Sequence, residues 1–305
     1  MARVLVAGGL GWDVPLWLDR PLTPGGRIGA RSLPAGDDGG PLAGRLGGGA
    51  ANISAALALA GHEVRVAGRV GRDAAGEHVL SALRDRGVGV EAVRVDDWPT
   101  PSVQLLIEPN GERTILGIIR PPPAAPMWSL DSGHVGNFAP AAVILRAPIP
   151  AVSLGILPFD ALLGNACLVV AHMPWRGPVP ATVDVAVGSR DDLGAQAYGH
   201  PLHTARCVFG GARWGVVTAG ASGARAQSDT ETLTAAAAAT AVVDTTGAGD
   251  IFMAGLTDAL LAGAGMAAAL AHGCRWSAAA VGIEGSAPAR GAVDIVGFSR
   301  ASDAT

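Results

Sequence analysis

No lysine occurs anywhere in the 305 residues, so all 22 basic side chains are arginine. A Walker A phosphate loop, a Schiff-base or pyridoxal lysine and a serine–lysine dyad each need a side-chain amine, and all three are excluded. Phosphate handling then falls to arginine, backbone N–H groups, helix N-termini or a metal. Cysteine is scarce too: Cys167, Cys207 and Cys274 are odd in number, far apart and never spaced as CxxC. That argues against a disulfide framework or a thiolate zinc site, and for an intracellular, cytoplasmic address. The histidines show no HExxH or other metal-ligand spacing. Long apolar runs are also missing. The first is broken within a few residues by Gly9, Gly11 and Asp13, too soon for a signal peptide, and the run over 251–266 is short and carries Asp258, so no membrane span is expected. With 26 acidic against 22 basic side chains, a net charge of −4 and no interleaving of basic and aromatic residues, nucleic-acid binding has no support. Small-molecule partners are favoured.

What is present is apolar: 49% of residues are hydrophobic and 16% charged, enough to bury a sizeable core without metal or disulfide support. The 44 glycines and 21 prolines punctuate these runs rather than clustering. Residues 3–8 read as a buried strand, 50–61 as a helix ending at Gly61, and 62–67 as a strand. A helix follows, capped by Asp73 and stopped by Gly87, with its stripe at Ala75, Val79, Ala82 and Leu83. Strands are expected at 167–171, 183–187 and 214–218, and two helices at 251–261 and 266–281 joined through residues 262–265. The alanine run 235–239 reads as helix or strand filler. Alternating strands and helices imply an α/β fold around a mostly parallel central sheet. Two segments depart from the pattern. Residues 14–45 are rich in proline, and 90–118 reads as a polar hairpin, alternating over 102–107 and turning at Pro109-Asn110-Gly111-Glu112. Together they suggest a small β lid on one domain spanning 1–305.

The stretch Asp244-Thr245-Thr246-Gly247-Ala248-Gly249-Asp250 carries the most chemical information. Its two glycines precede an apolar helix, so backbone N–H groups and the helix dipole converge on an anion. A carboxylate at Asp250, in the first turn, can take a proton from a hydroxyl while those amides stabilise a phosphoryl group. A helix-capping role would use the same residues. Asn52 is a poor helix former placed early in an expected helix, a misfit that supports a ligand role over that of a helix cap.

Val243 to Asp250, followed by Phe252 and Gly255, resembles the C-terminal signature of the ribokinase-like, or PfkB, carbohydrate kinases. Gly47-Gly48-Gly49-Ala50-Ala51-Asn52 resembles that family's sugar-site loop, and Gly68-Arg69-Val70-Gly71-Arg72-Asp73 with Gly76 its next conserved segment. Gly111-Glu112-Arg113-Thr114 and Val217-Thr218-Ala219-Gly220 with Gly223 add two matches in order, whereas residues 133–163 carry no recognised motif. The resemblance implies a ribokinase-like fold and ATP-dependent phosphorylation of a hydroxyl on a sugar or sugar-like molecule. It implies Asp250 as catalytic base and Gly247, Ala248 and Gly249 as anion hole. Asp13, Gly48 and Asn52 would meet the substrate, and Thr218, Gly220 and Gly223 the nucleotide. Mg2+ would accompany ATP, and some members use a monovalent cation near Asp244 and Gly285-Ser286-Ala287. A homodimer formed through an exposed lid surface is also implied.

Several positions depart from the family pattern. Ser189-Arg190-Asp191-Asp192 stands where an Asn-x-x-Glu segment is usual, which leaves Asp192 to organise a metal through water. His172-Met173-Pro174-Trp175-Arg176 replaces Asp-Pro-Asn-x-Arg, and Ile251 adds bulk directly after the base. Two other functions therefore stay open: a nucleoside kinase, for which Trp12 could stack on a base, and a catalytically weak sugar- or nucleotide-binding protein.

Overall fold

The computed structural model describes residues 1–32, 44–117, 138–146, 167–175 and 182–283. Strand β1 (Arg3–Gly8) shows why both sheet faces are covered: Val4 and Val6 face one apolar cluster, Leu5 and Ala7 another. Among the described residues the large sheet has nine strands, in the order β14-β13-β12-β11-β10-β9-β1-β5-β6. These are β5 (Glu63–Gly71), β6 (Gly89–Asp96), β9 (Ala142–Arg146), β10 (Leu168–Met173), β11 (Val185–Ser189), β12 (Trp214–Thr218), β13 (Ala224–Gln227) and β14 (Thr232–Ala235). From β12 to β6 all neighbours run parallel, and β13 and β14 add an antiparallel edge.

Helices α1 (Gly49–Leu59), α2 (Ala74–Asp85), α6 (Ala248–Leu261) and α7 (Met266–Val281) pack on the first face, and α5 (Pro201–Phe209) on the second. Two short helices, α3 (Arg190–Leu193) and α4 (Ala195–Gly199), precede α5. Asp73 caps α2 as expected: its Oδ1 accepts from the Gly76 amide at 2.8 Å, a bond of the kind that contributes about 1 kcal/mol. Glycines let α6 and α7 approach, since a Cβ on Gly255 would lie 2.8 Å from the Trp276 ring and one on Gly273 would lie 3.0 Å from that of Phe252. No helix among the described residues is long and apolar enough to cross a membrane.

A second sheet of five strands, among the described residues, lies over the C-terminal ends of the first: β3-β2-β7-β8, with β4 also paired to β2. Its strands are β2 (Gly11–Leu18), β3 (Ala30–Ser32), β4 (Arg45–Gly47), β7 (Ser102–Ile107) and β8 (Arg113–Gly117). The two irregular stretches of sequence therefore meet, because β2 pairs with β7 in parallel over six residues. One boundary differs from expectation. Residues 89–96 form β6, parallel to β5 at the edge of the large sheet, so this part of the 90–118 segment is not in the smaller sheet. Strand β8 is an exposed edge that carries Ile115 and Leu116 at the surface. The second sheet and the parallel sheet together give the ribokinase-like α/β fold.

Candidate active site

Strand order reverses at β1: the chain moves from β1 to β5 and β6 on one side, while β9 to β12 build the other. In such sheets ligands settle beyond the carboxyl ends of the strands at the reversal. Here Gly8 ends β1 opposite Arg146, which ends β9.

The glycine-rich loop entering α1 is shaped by three separate contacts. A Cβ at Gly47 would run into the Asp13 carboxylate, and one at Gly48, whose φ is +87°, would lie 2.5 Å from the Gly9 carbonyl oxygen. At Gly49 it would lie 2.5 Å from Arg146 Nε and 2.9 Å from Asp250 Oδ1. The loop is clasped by the Ala50 amide, which donates to the Gly9 carbonyl at 3.2 Å, and by the Asn52 amide, which donates to the Gly48 carbonyl at 3.0 Å. This turn brings Asp13, Asn52 and Asp250, three of the expected residues, to one place.

Asn52 Nδ2 donates to Asp250 Oδ2 at 2.9 Å, and its own Oδ1 is buried without a hydrogen-bond partner. A buried amide oxygen left unpaired is costly, so it marks a place where a ligand hydroxyl can donate. The other Asp250 oxygen is held by a residue that the sequence did not reveal: Arg146 Nε donates to Oδ1 at 2.6 Å, and Arg146 Nη1 to His172 Nδ1 at 3.3 Å. Burial by itself would push the Asp250 carboxyl up. The Arg146 guanidinium, the Asn52 amide and the nearby His172 outweigh it and hold the group below the ordinary carboxylate range.

Asp13 lies in β2, opposite Arg45 of β4. Its burial, reinforced by the charges of Asp250 and Asp244 and opposed by Arg45 and Arg113, pushes its carboxyl up to about 6. Arg45 Nη2 donates to Asp244 Oδ2 at 2.7 Å, and the Thr246 amide donates to Asp244 Oδ1 at 2.8 Å. Although Asp244 is buried, these contacts keep its carboxyl below the usual range. Arg45 thus pairs with the carboxylate near which the resemblance implies a monovalent cation. Residues 285–287 lie outside the described residues. Trp12, adjacent in β2, packs its ring 5.1 Å from that of His78 on α2. Arg113 Nη1 donates to Thr245 Oγ1 at 2.9 Å and so ties the β7–β8 hairpin to the loop before α6.

That loop ends at Gly247, with φ +75° at the N-cap of α6. Ala248 and Gly249 open the helix, where first-turn amides have no acceptor within it. The Ala248 amide makes a long 3.3 Å bond to the Thr245 carbonyl, and nothing would meet a Cβ at Gly249 within 4 Å. Ile251 is fully buried in the cluster beneath the sheet, so its bulk goes into the core rather than over Asp250.

The expected nucleotide residues lie three strands away from Arg146 along the sheet. Thr218 ends β12 in register with Ser189. Gly220 (φ +53°) and Gly223 (φ +83°) bracket a single 3-10 turn, and a Cβ on Gly223 would overlap the Ala235 carbonyl. Ser189 Oγ accepts from the Asp191 amide at 3.2 Å and thus caps α3, leaving Asp192 exposed in its first turn. Among the described residues no group of three or more His, Cys, Asp or Glu could hold a metal. A single exposed carboxylate still fits magnesium, which keeps several waters and takes the rest of its ligands from substrate phosphates. Cys274 is buried in α7, burial pushes its thiol up, and it serves as a small packing residue. Arg176 lies outside the described residues.

The profile of the family described as "pfkB family carbohydrate kinase" matches residues 42–147 and 181–290. An ATP-dependent ribose-1-phosphate kinase from Halopiger xanaduensis is 28% identical over 303 residues, 96% of this chain and 97% of that protein. The fold is similar to that of Arabidopsis thaliana ribokinase complexed with ribose and ATP, with a TM-score of 0.72 and 22% identity over 97% of this chain and 98% of that one. It is also similar to a nucleoside kinase of the ribokinase family from Methanocaldococcus jannaschii, with a TM-score of 0.67 and 14% identity over 97% and 98%. The chain belongs to the pfkB family of carbohydrate kinases. As a member it is an ATP-dependent phosphotransferase.

Proposed function

We propose that the protein transfers the γ-phosphoryl group of ATP to a hydroxyl of a sugar or sugar phosphate, with Asp250 as general base. The observation that carries this reading is the Asp250 carboxylate in the first turn of α6, one residue beyond a glycine-led turn and 2.9 Å from the Asn52 amide. The acceptor is held by the Asp13 carboxylate, the Asn52 Oδ1 that lacks a partner, and the Gly48 backbone. Its hydroxyl gives a proton to Asp250 as its oxygen bonds to the γ-phosphorus and ADP leaves. First-turn amides at Gly247, Ala248 and Gly249 meet the charge that builds on the transferred group. Little covalent work falls to the protein in such a reaction, so orientation and fixed donors supply most of the acceleration. Thr218, Gly220 and Gly223 seat the nucleotide. Asp192 would hold magnesium through water, and the ion would neutralise phosphate charge.

Sugar phosphates enter this proposal because the Halopiger xanaduensis relative is a ribose-1-phosphate kinase. For a nucleoside acceptor the candidate stacking ring is Trp12, which meets His78 with ring centroids 5.1 Å apart. The test is ADP release with Mg-ATP across a panel of sugars, sugar phosphates and nucleosides, for wild type and Asp250→Asn. Acceptor-dependent turnover should fall about a thousandfold in the variant. Equal release by both proteins would remove Asp250 from the role.

A further inference from the structure

Arg146 has no part in the chemistry just described, yet it holds the oxygen that the chemistry needs. Asp250 Oδ1 accepts from Arg146 Nε at 2.6 Å and Oδ2 from Asn52 at 2.9 Å, so the base has both oxygens engaged. The site is shaped for this guanidinium: a side chain on Gly49 would come within 2.5 Å of Arg146 Nε. The arginine is largely buried, with 21% of its side chain exposed, and lies at the strand reversal where an acceptor must sit. Neutral sugar hydroxyls compete poorly with a carboxylate for a guanidinium. A phosphate monoester competes well, because it carries nearly two charges and accepts two parallel N–H bonds from the planar fork.

We infer that Arg146 binds an anionic group of the acceptor, a phosphate monoester, and that this exchange of partners releases Asp250 to act as base; the preferred acceptor is a sugar phosphate. The inference rests on Asp250 being the base, and gives Arg146 two linked tasks, specificity and positioning. In the resting site the guanidinium silences the carboxylate. With the acceptor bound, the same guanidinium neutralises the phosphate and the carboxylate turns to the hydroxyl.

The test compares wild type, Arg146→Gln and Arg146→Lys on ribose, ribose 1-phosphate and ribose 5-phosphate with Mg-ATP, and titrates the same three compounds into each protein without nucleotide. Wild type should prefer one of the phosphates over ribose in kcat/KM. That preference should shrink by roughly a hundredfold or more in Arg146→Gln and recover in part in Arg146→Lys. Retained ATP binding by Arg146→Gln shows that it is folded. A variant that loses the same factor on ribose and on both phosphates, or a wild type that prefers ribose, overturns the inference while leaving Asp250 in place. If none of the three compounds supports turnover in wild type, the titration still decides. Phosphate-dependent binding lost in Arg146→Gln upholds the anion site, and its absence from wild type overturns it.

Discussion

The residues proposed to hold the acceptor and those proposed to hold the nucleotide are different in kind. At the proposed acceptor end, Asp13, Asp244 and Asp250 lie near Arg45, Arg146 and the exposed Arg113, and the three carboxylates are almost fully buried. At the nucleotide end the expected residues are a threonine, two left-handed glycines and one exposed carboxylate. A nucleotide polyphosphate is much the same in every kinase, and backbone geometry can cradle it. An acceptor has to be told apart from other alcohols, and that takes side chains whose charges and orientations are fixed by burial.

The acceptor side is tightest around Gly49. Gly49→Ala places a Cβ against both Arg146 and Asp250. Steady-state assays should show kcat/KM for the acceptor falling roughly a hundredfold, as small misplacements of reacting groups do. A loss below about threefold would mean that the loop yields easily, and the contrast would weaken.

Asp13 makes the acceptor side sensitive to pH. Its carboxyl titrates at about 6 and accepts hydroxyls best when ionised, so the acceptor KM of wild type should rise as pH falls through that value. Asp13→Asn should flatten the profile and raise KM about tenfold near neutral pH. The stability effect has the opposite sign. A carboxyl raised from 3.8 to about 6 takes stability from the folded state as pH rises through this window. Chemical denaturation near pH 7.5 should therefore find Asp13→Asn more stable by on the order of 3 kcal/mol, with little gain near pH 4.

On the nucleotide side the same experiment meets backbone. Gly223→Ala forces φ +83° on a residue whose Cβ overlaps the Ala235 carbonyl. Thermal unfolding should show a loss of about 1 to 3 kcal/mol, and the ATP KM should rise while acceptor selectivity holds. The smallest effect is expected at exposed Asp192, where Asp192→Asn should raise the magnesium needed for half-maximal rate by up to about tenfold.

Much of the architecture was legible because local patterns suffice for it. The joint between α6 and α7, the β7–β8 hairpin, the Asp73 cap and β12 follow from periodicity and turn residues within a dozen positions. Strand β6 reads as lid in the sequence because Gly89–Asp96 is half exposed at an edge, so its alternation looks like that of a surface hairpin. The β13–β14 pair escaped notice, since four-residue strands of small and polar residues carry little signal. In the site, Asp13, Asn52 and Asp250 stood out through their motifs. Arg146 did not: it closes the apolar run Ala142-Val143-Ile144-Leu145, in a stretch without any motif, and only the sheet order puts it beside Gly8. The available clue was an arginine ending a strand with four buried residues before it, which becomes meaningful once that strand is seen to adjoin β1.

The tip of the β7–β8 hairpin and the loop before α6 are joined by more than the Arg113 contact. Thr245 donates from its amide at 3.4 Å and from its hydroxyl at 3.2 Å to the Gly111 carbonyl, and a Cβ on Gly111, at φ +83°, would lie 2.8 Å from Val242. Two stretches more than a hundred residues apart in the chain thus share one mechanical joint. Neither can change shape on its own: a longer hairpin tip, or a bulkier residue at 242 or 245, calls for a matching change across the joint. Exchanging the hairpin tip for that of another kinase should therefore preserve the fold only when the loop before α6 is exchanged with it.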